Sequence, residues 1–319
     1  MKTVIVTGAA GFIGSNLAQK LLGDGKYRVV GVDNMDNTYS RVFKEEHIKP
    51  LKEDKNFVFY EEDVCEFDKM KEIFEKEKPD YVIHLAGRVD TRDSVNEAYE
   101  YIRVNVFGSL NMLELSKDFK VQNFVFASSS SIYGNDAKIP FKEADFAGRP
   151  ISPYGVTKQS VELLAYTYNR NFGLNVICLR FFNVYGENNR PSMVPYVWVE
   201  KILKGEQIEV SGDGERKRDY TYIGDTVDGI IKAMEVKDIG FEIINIGGGK
   251  SYTLNELVSA FEKSTGIIAK VKSRPSHDAS VNETSADTTK AKELLGWEPK
   301  VNLEEGIDRL VNWFRDNRL

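Results

Sequence analysis

The sequence predicts an α/β chain, a doubly wound parallel sheet followed by a smaller, mixed C-terminal domain. Three observations carry this. Through residue 182, short apolar runs alternate with helical patterns, as parallel strands joined by crossover helices do. The strand-like runs are continuously apolar rather than alternating, which fits strands buried on both faces. The first of them runs straight into three spaced glycines and then a helix.

In chain order, strands are predicted at 3–7, 28–33, 57–60, 81–85, 124–127 and 176–181. Between them Ile13, Leu17 and Leu21 recur every four residues, and Phe67, Met70, Ile73 and Phe74 every three or four, each pattern an apolar helix face. Two longer helical patterns, at 94–115 and 154–172, flank the sheet. After Gly186 the pattern loosens. Helices are expected near 195–203, 225–234, 254–265 and 303–317, with one strand near 243–246. These form a smaller domain over the C-terminal edge of the sheet, where ligands bind in open α/β folds.

Composition narrows the function classes. Of 319 residues, 41% are hydrophobic and 29% charged, which reads as globular. A net charge of −6 argues against non-specific nucleic-acid binding, which needs a basic surface. No apolar run reaches the length of a membrane span, so no membrane association is expected. Cys65 and Cys178 sit in or beside strand-like runs and read as small buried hydrophobes. No metal cluster and no oxidising compartment are predicted, and the cytoplasm is the expected location.

The N-terminal run Val4-Ile5-Val6-Thr7-Gly8-Ala9-Ala10-Gly11-Phe12-Ile13-Gly14 has the spacing G-x-x-G-x-x-G between a strand and a helix. Gly8 permits the tight turn, Gly11 lets backbone approach a pyrophosphate, and Gly14 lets the helix pack closely. The helix N-terminus, at Phe12 and Ile13, offers free N–H groups and a partial positive charge to phosphates. This is a Rossmann dinucleotide site. Asp33 ends the second strand 19 residues after Gly14, where a carboxylate binds the adenosine ribose hydroxyls and repels a 2′-phosphate. That selects NAD over NADP, with Arg28 and Arg41 as the nearby cations that would soften the preference. Asp63 and Val64 close the third strand and would frame the adenine.

Tyr154 and Lys158 share one helix face at i, i+4, in a helix opened by Ser152-Pro153. Upstream, the fifth strand ends in Ser128-Ser129-Ser130-Ser131, where a nicotinamide would lie. The chemistry needs a base that takes a proton from an alcohol while hydride leaves the same carbon. A phenol has a reference pKa of about 10. Bringing it near 7 takes roughly 4 kcal/mol from neighbouring charge, which Lys158 and a cationic nicotinamide would supply together.

These residues carry a resemblance. The chain resembles the extended short-chain dehydrogenase/reductases, and within them the nucleotide-sugar 4-epimerases. The supporting motifs are the glycine run, His84-Leu85-Ala86-Gly87, Ser128-Ser129-Ser130-Ser131-Ile132-Tyr133-Gly134 and Tyr154-Gly155-Val156-Thr157-Lys158. Further on come Arg180-Phe181-Phe182-Asn183-Val184-Tyr185-Gly186, Arg218-Asp219-Tyr220-Thr221-Tyr222-Ile223 and Leu294-Leu295-Gly296-Trp297. The resemblance implies an NAD-binding domain over 1–182 and a UDP-sugar domain over 183–319, with chain crossings between them allowed. It implies Tyr154 as base, Lys158 on the nicotinamide ribose, and Ser129 on the sugar 4-hydroxyl. Leu85 and Ala86 would line the cofactor, and Ser130 and Ser131 the sugar. Asn183, Arg218 and Arg274 would grip the diphosphate and nucleoside. Paired helices would make a homodimer.

In similar 4,6-dehydratases an Asp-Glu pair precedes Val/Ile-Tyr-Gly, and in decarboxylases a Glu does. Here Ser130-Ser131 precede Ile132, which leaves oxidation at C4, turning of the ketone and return of hydride. For the sugar, Arg190-Pro191-Ser192-Met193 resembles a segment of uronate epimerases in which an Arg faces a C6 carboxylate. Asn183 points instead to the glucose type, and Thr284 sits at the size-gating position, small enough for an N-acetyl group or a carboxylate. The segment 274–284 is also longer than usual. The balance favours UDP-glucose or UDP-N-acetylglucosamine over UDP-glucuronate. A reductase or dehydrogenase with net cofactor turnover, and a non-catalytic cofactor sensor, are the readings from other classes.

Overall fold

The computed structural model describes residues 1–145, 149–275, 281 and 283–318. The first half lays down β1 (Lys2–Thr7), α1 (Phe12–Gly23), β2 (Tyr27–Val32), α2 (Arg41–Ile48), β3 (Phe57–Tyr60), α3 (Phe67–Glu77) and β4 (Tyr81–His84). Two single-turn helices, α4 (Asp93–Asn96) and α5 (Ala98–Tyr101), lead through a π-helical stretch, Ile102–Phe107, into α6 (Gly108–Asp118). Then come β5 (Asn123–Ser129), α7 (Pro153–Phe172) and β6 (Val176–Phe181). The second half holds β7 (Asn183–Tyr185), α8 (Val194–Leu203), β8 (Gln207–Ser211), β9 (Lys217–Tyr222), α9 (Ile223–Glu235) and β10 (Phe241–Ile246). It ends with β11 (Ser251–Thr253), α10 (Leu254–Thr265), β12 (Lys270–Arg274), α11 (Thr289–Leu295) and α12 (Leu303–Arg318).

Seven parallel strands form the main sheet in the order β10-β6-β5-β4-β1-β2-β3. Alternate residues of each strand serve opposite faces. Val4 and Val6 join a core with α1, α9 and α12, while Ile5 joins one with α3, α6 and α7. Both faces are covered, which explains the continuous apolar runs. A three-stranded sheet, β11-β9-β7, and the pair β12-β8 stand over the C-terminal edge. Among the described residues no helix is long and apolar enough to cross a membrane.

Two expectations need correction. The strand near 243–246 belongs to the main sheet, not the smaller domain: β10 pairs along β6, with Ile243 opposite Cys178. The chain therefore crosses back through α9, which packs on α1 and β5. Asn123 at the start of β5 fastens that return by donating to the Met234 carbonyl at 2.8 Å. The helix at 94–115 is likewise not continuous. It breaks between α4 and α5 and widens to π register around Asn105. The Asn105 side chain is turned inward, accepting from Arg88 N–H at 2.7 Å and donating to the Arg88 carbonyl and to Thr157 Oγ1, each at 3.0 Å. Single π turns of this kind accompany functional sites.

The helix that carries Tyr154 has strong local signals. Ser152 caps α7 by accepting from Gly155 N–H at 3.3 Å, Pro153 fixes its first turn, and Gly173 ends it at φ 71°.

Candidate active site

A cleft of about 1050 Å³ opens along the C-terminal ends of β1, β2, β4, β5 and β6. Every residue expected to touch cofactor or substrate lines it: Gly8, Gly11, Phe12, Ile13, Gly14, Asp33, Asp63, Val64, Leu85, Ala86, Ser129, Ser130, Ser131, Tyr154, Lys158, Asn183, Arg190, Arg218, Arg274 and Thr284. Residues 276–280 and 282 of the long segment after Arg274 lie outside the described residues.

At one end the glycines form the expected loop. Gly8 turns the chain at φ 69°, and a Cβ there would sit 2.9 Å from Ala86 N. A Cβ on Gly14 would fall 2.1 Å from the Gly8 carbonyl oxygen, so this glycine lets α1 abut the loop itself. No side chain caps the first turn of α1, whose N–H groups are left to the cleft. This cradle fits a dinucleotide pyrophosphate. Asp33 accepts from Ala10 N–H at 3.1 Å and Met35 N–H at 2.9 Å, with the Lys44 ammonium at 3.3 Å. Arg28 is held by Glu77, and Arg41 by Glu45 and Glu61, so neither bears on Asp33. The buried cation beside Asp33 is Lys44, which also holds Asp36 at 2.6 Å. The sequence reading missed it because it lies on a different element. Burial pushes Asp63 up, but the Cys65 N–H and Arg103 outweigh this and hold its carboxyl below the usual range.

At the other end β5 delivers its serines to α7. Ser129 Oγ accepts from Ser131 N–H at 3.1 Å, and its hydroxyl helps hold the Tyr154 phenol down. Lys158 donates to the Ala127 carbonyl at 2.8 Å, 4.8 Å from the Phe126 ring centre, and burial pushes its ammonium down to about 8. The expected lowering of the phenol calls on Lys158 together with a cationic nicotinamide. Burial raises Tyr154 above its ordinary value, and the groups that oppose this are Ser129 and Arg190. The Lys158 ammonium lies 5.9 Å from the centre of the Tyr154 ring.

A buried chain of hydrogen bonds stands behind this end. Ser109 Oγ donates to the Asn105 carbonyl at 2.5 Å, so it accepts from His84 Nε2 at 2.9 Å. His84 Nδ1 then accepts from Thr7 Oγ1 at 2.7 Å, and Thr7 accepts from Ala86 N–H at 3.1 Å. Burial and the nearby Lys158 charge push His84 down to about 3, so the ring is neutral with a fixed tautomer. It ties β1, β4 and the π turn together under Ala86 and Gly87. Its place in His84-Leu85-Ala86-Gly87 was the only sequence signal for it.

The opposite wall is basic. Arg190, Arg216, Arg218 and Arg274 line it with Asn183, Tyr220 and Thr284. Arg218 donates to the Lys217 and Val281 carbonyls, and Thr284 Oγ1 accepts from Asp219 N–H at 3.0 Å. Arg216 was not foreseen. Such a cluster suits a diphosphate on a chain of net negative charge. Arg190 donates only weakly, to the Val89 carbonyl at 3.4 Å and the Met193 thioether at 3.2 Å. Among the described residues, no carboxylate lies within ion-pair distance of it.

The model of the family described as GDP-mannose 4,6 dehydratase matches residues 5–310. A UDP-glucuronate 4-epimerase from Thermodesulfobacterium geofontis is 42% identical over 314 residues, 98% of this chain and 96% of the relative. Of solved structures, UDP-glucuronic acid 4-epimerase from Bacillus cereus in complex with UDP-glucuronic acid and NAD has TM-score 0.92 at 34% identity, covering 98% of this chain and 99% of that one. UDP-glucose 4-epimerase from Thermotoga maritima with UDP-glucose has TM-score 0.90 at 37% identity and the same coverage.

Proposed function

Because the chain belongs to the GDP-mannose 4,6-dehydratase family of the extended short-chain dehydrogenase/reductases, we propose that it is an NAD-dependent UDP-sugar 4-epimerase acting on UDP-glucuronate, which it interconverts with UDP-galacturonate. The carrying observation is Arg190, a guanidinium that lines the cleft with Tyr154, helps hold the phenol down, and has no carboxylate within ion-pair distance among the described residues. A C6 carboxylate supplies that partner. This moves the reading away from the neutral sugars that the sequence favoured.

Bound NAD would supply a reversible hydride acceptor for C4 of the sugar. Residues 1–182, with the strand returned from 241–246, hold the cofactor, and 183–319 the nucleotide sugar. Gly8, Gly11, Phe12, Ile13 and Gly14 receive the pyrophosphate, Asp33 the adenosine ribose, Asp63 and Val64 the adenine. Lys158 holds the second ribose beside Leu85 and Ala86. Tyr154 takes the proton of the 4-hydroxyl and later gives it back, with Ser129 orienting that hydroxyl. Ser130, Ser131 and Asn183 surround the sugar, beside Thr284, and Arg218 and Arg274 hold the diphosphate. With serines before Ile132, no acid is placed to expel a group from C6.

Arg190→Ala tests the sugar. A charge-assisted hydrogen bond contributes roughly 1.5–3 kcal/mol, so kcat/KM for UDP-glucuronate should fall ~10–150-fold while UDP-glucose is barely affected. Equal losses on both sugars would assign Arg190 to the phosphates and return the reading to a neutral hexose, as Asn183 suggests.

Asp33 should make NAD bind at least tenfold better than NADP, ~1.4 kcal/mol. Equal affinities by calorimetry on nucleotide-stripped protein would show that Lys44 has cancelled its charge.

We read the chain as a homodimer. Tyr99, 93% exposed, lies with Ile102, Leu163 and Tyr166 on the outer surface of α5, the π turn and α7. Helices pairing across a two-fold axis would cover them. Light scattering at micromolar concentration should give the dimer mass, and Leu163→Asp the monomer mass. A monomeric unaltered protein refutes this.

A further inference from the structure

Behind the redox centre a row of polar side chains crosses three neighbouring strands. Ser128 on β5 and Asn245 on β10 are both register partners of Arg180 on β6, and all three are buried. Glu162 of α7 meets this row. Its Oε1 accepts from Ser128 Oγ at 2.6 Å and Arg180 Nε at 2.9 Å, and its Oε2 accepts from Arg180 Nη2 at 2.7 Å. On the far side the Arg180 guanidinium lies 4.7 Å from the Tyr133 ring centre, and Tyr133 donates to Asn245 Oδ1 at 2.8 Å.

The position of Glu162 gives the row a meaning beyond packing. It follows Lys158 by one helical turn and Tyr154 by two, on the inner face of α7. A bidentate grip on a strand residue fixes both the rotation of α7 and its position along its own axis. Ser128, the third member, immediately precedes Ser129. One carboxylate thus joins the helix that carries the phenol to the strand end that carries its hydroxyl partner.

Stability alone does not call for charges here. A buried ion pair seldom outperforms apolar side chains of similar volume, because desolvation offsets the attraction. Arg180 Nη1 has no partner among the described residues, so the arrangement is not even fully satisfied. Apolar alternatives would suit the surroundings, where Cys178, Val161 and Phe126 are fully buried.

We propose that Glu162, Arg180 and Ser128 form a positioning unit that sets where Tyr154 and Lys158 stand relative to Ser129 and the Ala127 carbonyl. The unit rests on the catalytic reading only through Tyr154.

The test uses the full-length protein with bound NAD. Variants are Glu162→Leu with Arg180→Met, Glu162→Gln alone, Ser128→Ala, and Ser128→Thr as the conservative rescue. Assays use whichever UDP-sugar the unaltered protein epimerises. The double variant should keep its Tm within a few degrees and its KM within about threefold, while kcat falls at least ~10-fold. The pH midpoint of kcat should move up, because a displaced Ser129 no longer helps the phenol ionise. Ser128→Ala should show the same direction with a smaller loss, and Ser128→Thr should restore it. Phenolate absorbance, read as the difference between each variant and its Tyr154→Phe counterpart, should report the same upward move without substrate. Folded variants with unchanged kcat and phenol midpoint, and only a lower Tm, would overturn the proposal. If the double variant does not fold, Ser128→Ala decides the matter by the same readouts. An unaltered protein that epimerises nothing would sink the epimerase reading, and the phenolate titration would still decide this one.

Discussion

Tyr154→Phe should cost about 10²–10⁴-fold in turnover, the usual contribution of a general base, and leave NAD in place. The change removes one oxygen from a half-buried ring whose carbon skeleton packs edge-on against Tyr101, with ring centres 6.3 Å apart. Nothing in that packing uses the hydroxyl, so fold and cofactor content should survive. The catalytic loss follows from how the phenol is held. Burial raises its pKa, and among the described residues Ser129 and Arg190 are what oppose it. Turnover in the unaltered enzyme should therefore climb with pH as the phenol ionises, and that limb should vanish in the variant. Retention of more than about a tenth of normal turnover would remove Tyr154 from the role of base.

Much of this site was legible in the sequence because its parts are local. The glycine loop lies within eight residues and opens a helix, so spacing alone gives its geometry. Tyr154 and Lys158 are one turn apart, and their helix carries its own cap and stop. The serines end a strand whose apolar run is unmistakable. What escaped was set by tertiary contact. Lys44 reaches Asp33 from α2, and Asn105 is turned inward by a π register that no apolar period announces. β10 has an ordinary strand pattern, yet its partner β6 lies some sixty residues earlier, and pattern does not reveal pairing. The charge balance around Arg190 was equally hidden. The sequence shows an arginine before a proline, and only the fold shows that no described carboxylate reaches it.

Gly14→Ala should be the most damaging of the small substitutions, and Gly23→Ala in the same helix is its control. Both add one methyl to α1. At Gly23 that methyl meets nothing within 4 Å. Replacing a helical glycine by alanine there should stabilise the fold by roughly 0.5–1 kcal/mol. At Gly14 it would fall 2.1 Å from the Gly8 carbonyl oxygen, 2.8 Å from its carbon and 2.9 Å from Ala9 Cα. All three are backbone atoms, so no side chain can swing aside. Gly8 has little room to retreat, since the Ala86 backbone lies so close behind it that an added Cβ would stand 2.9 Å from Ala86 N. Either α1 lifts off or the loop opens, and each separates the helix N-terminus from the phosphates it should bind. The cost should reach or exceed the ~1–3 kcal/mol typical of an overpacked site. NAD released on denaturing the purified protein should drop from near-stoichiometric to a small fraction, and Tm should fall. Gly11→Ala should lie between the two, because its methyl meets only the Gly8 oxygen at 3.1 Å. If Gly14→Ala kept its NAD and melted with Gly23→Ala, the close approach of α1 to the loop would not be what holds the dinucleotide.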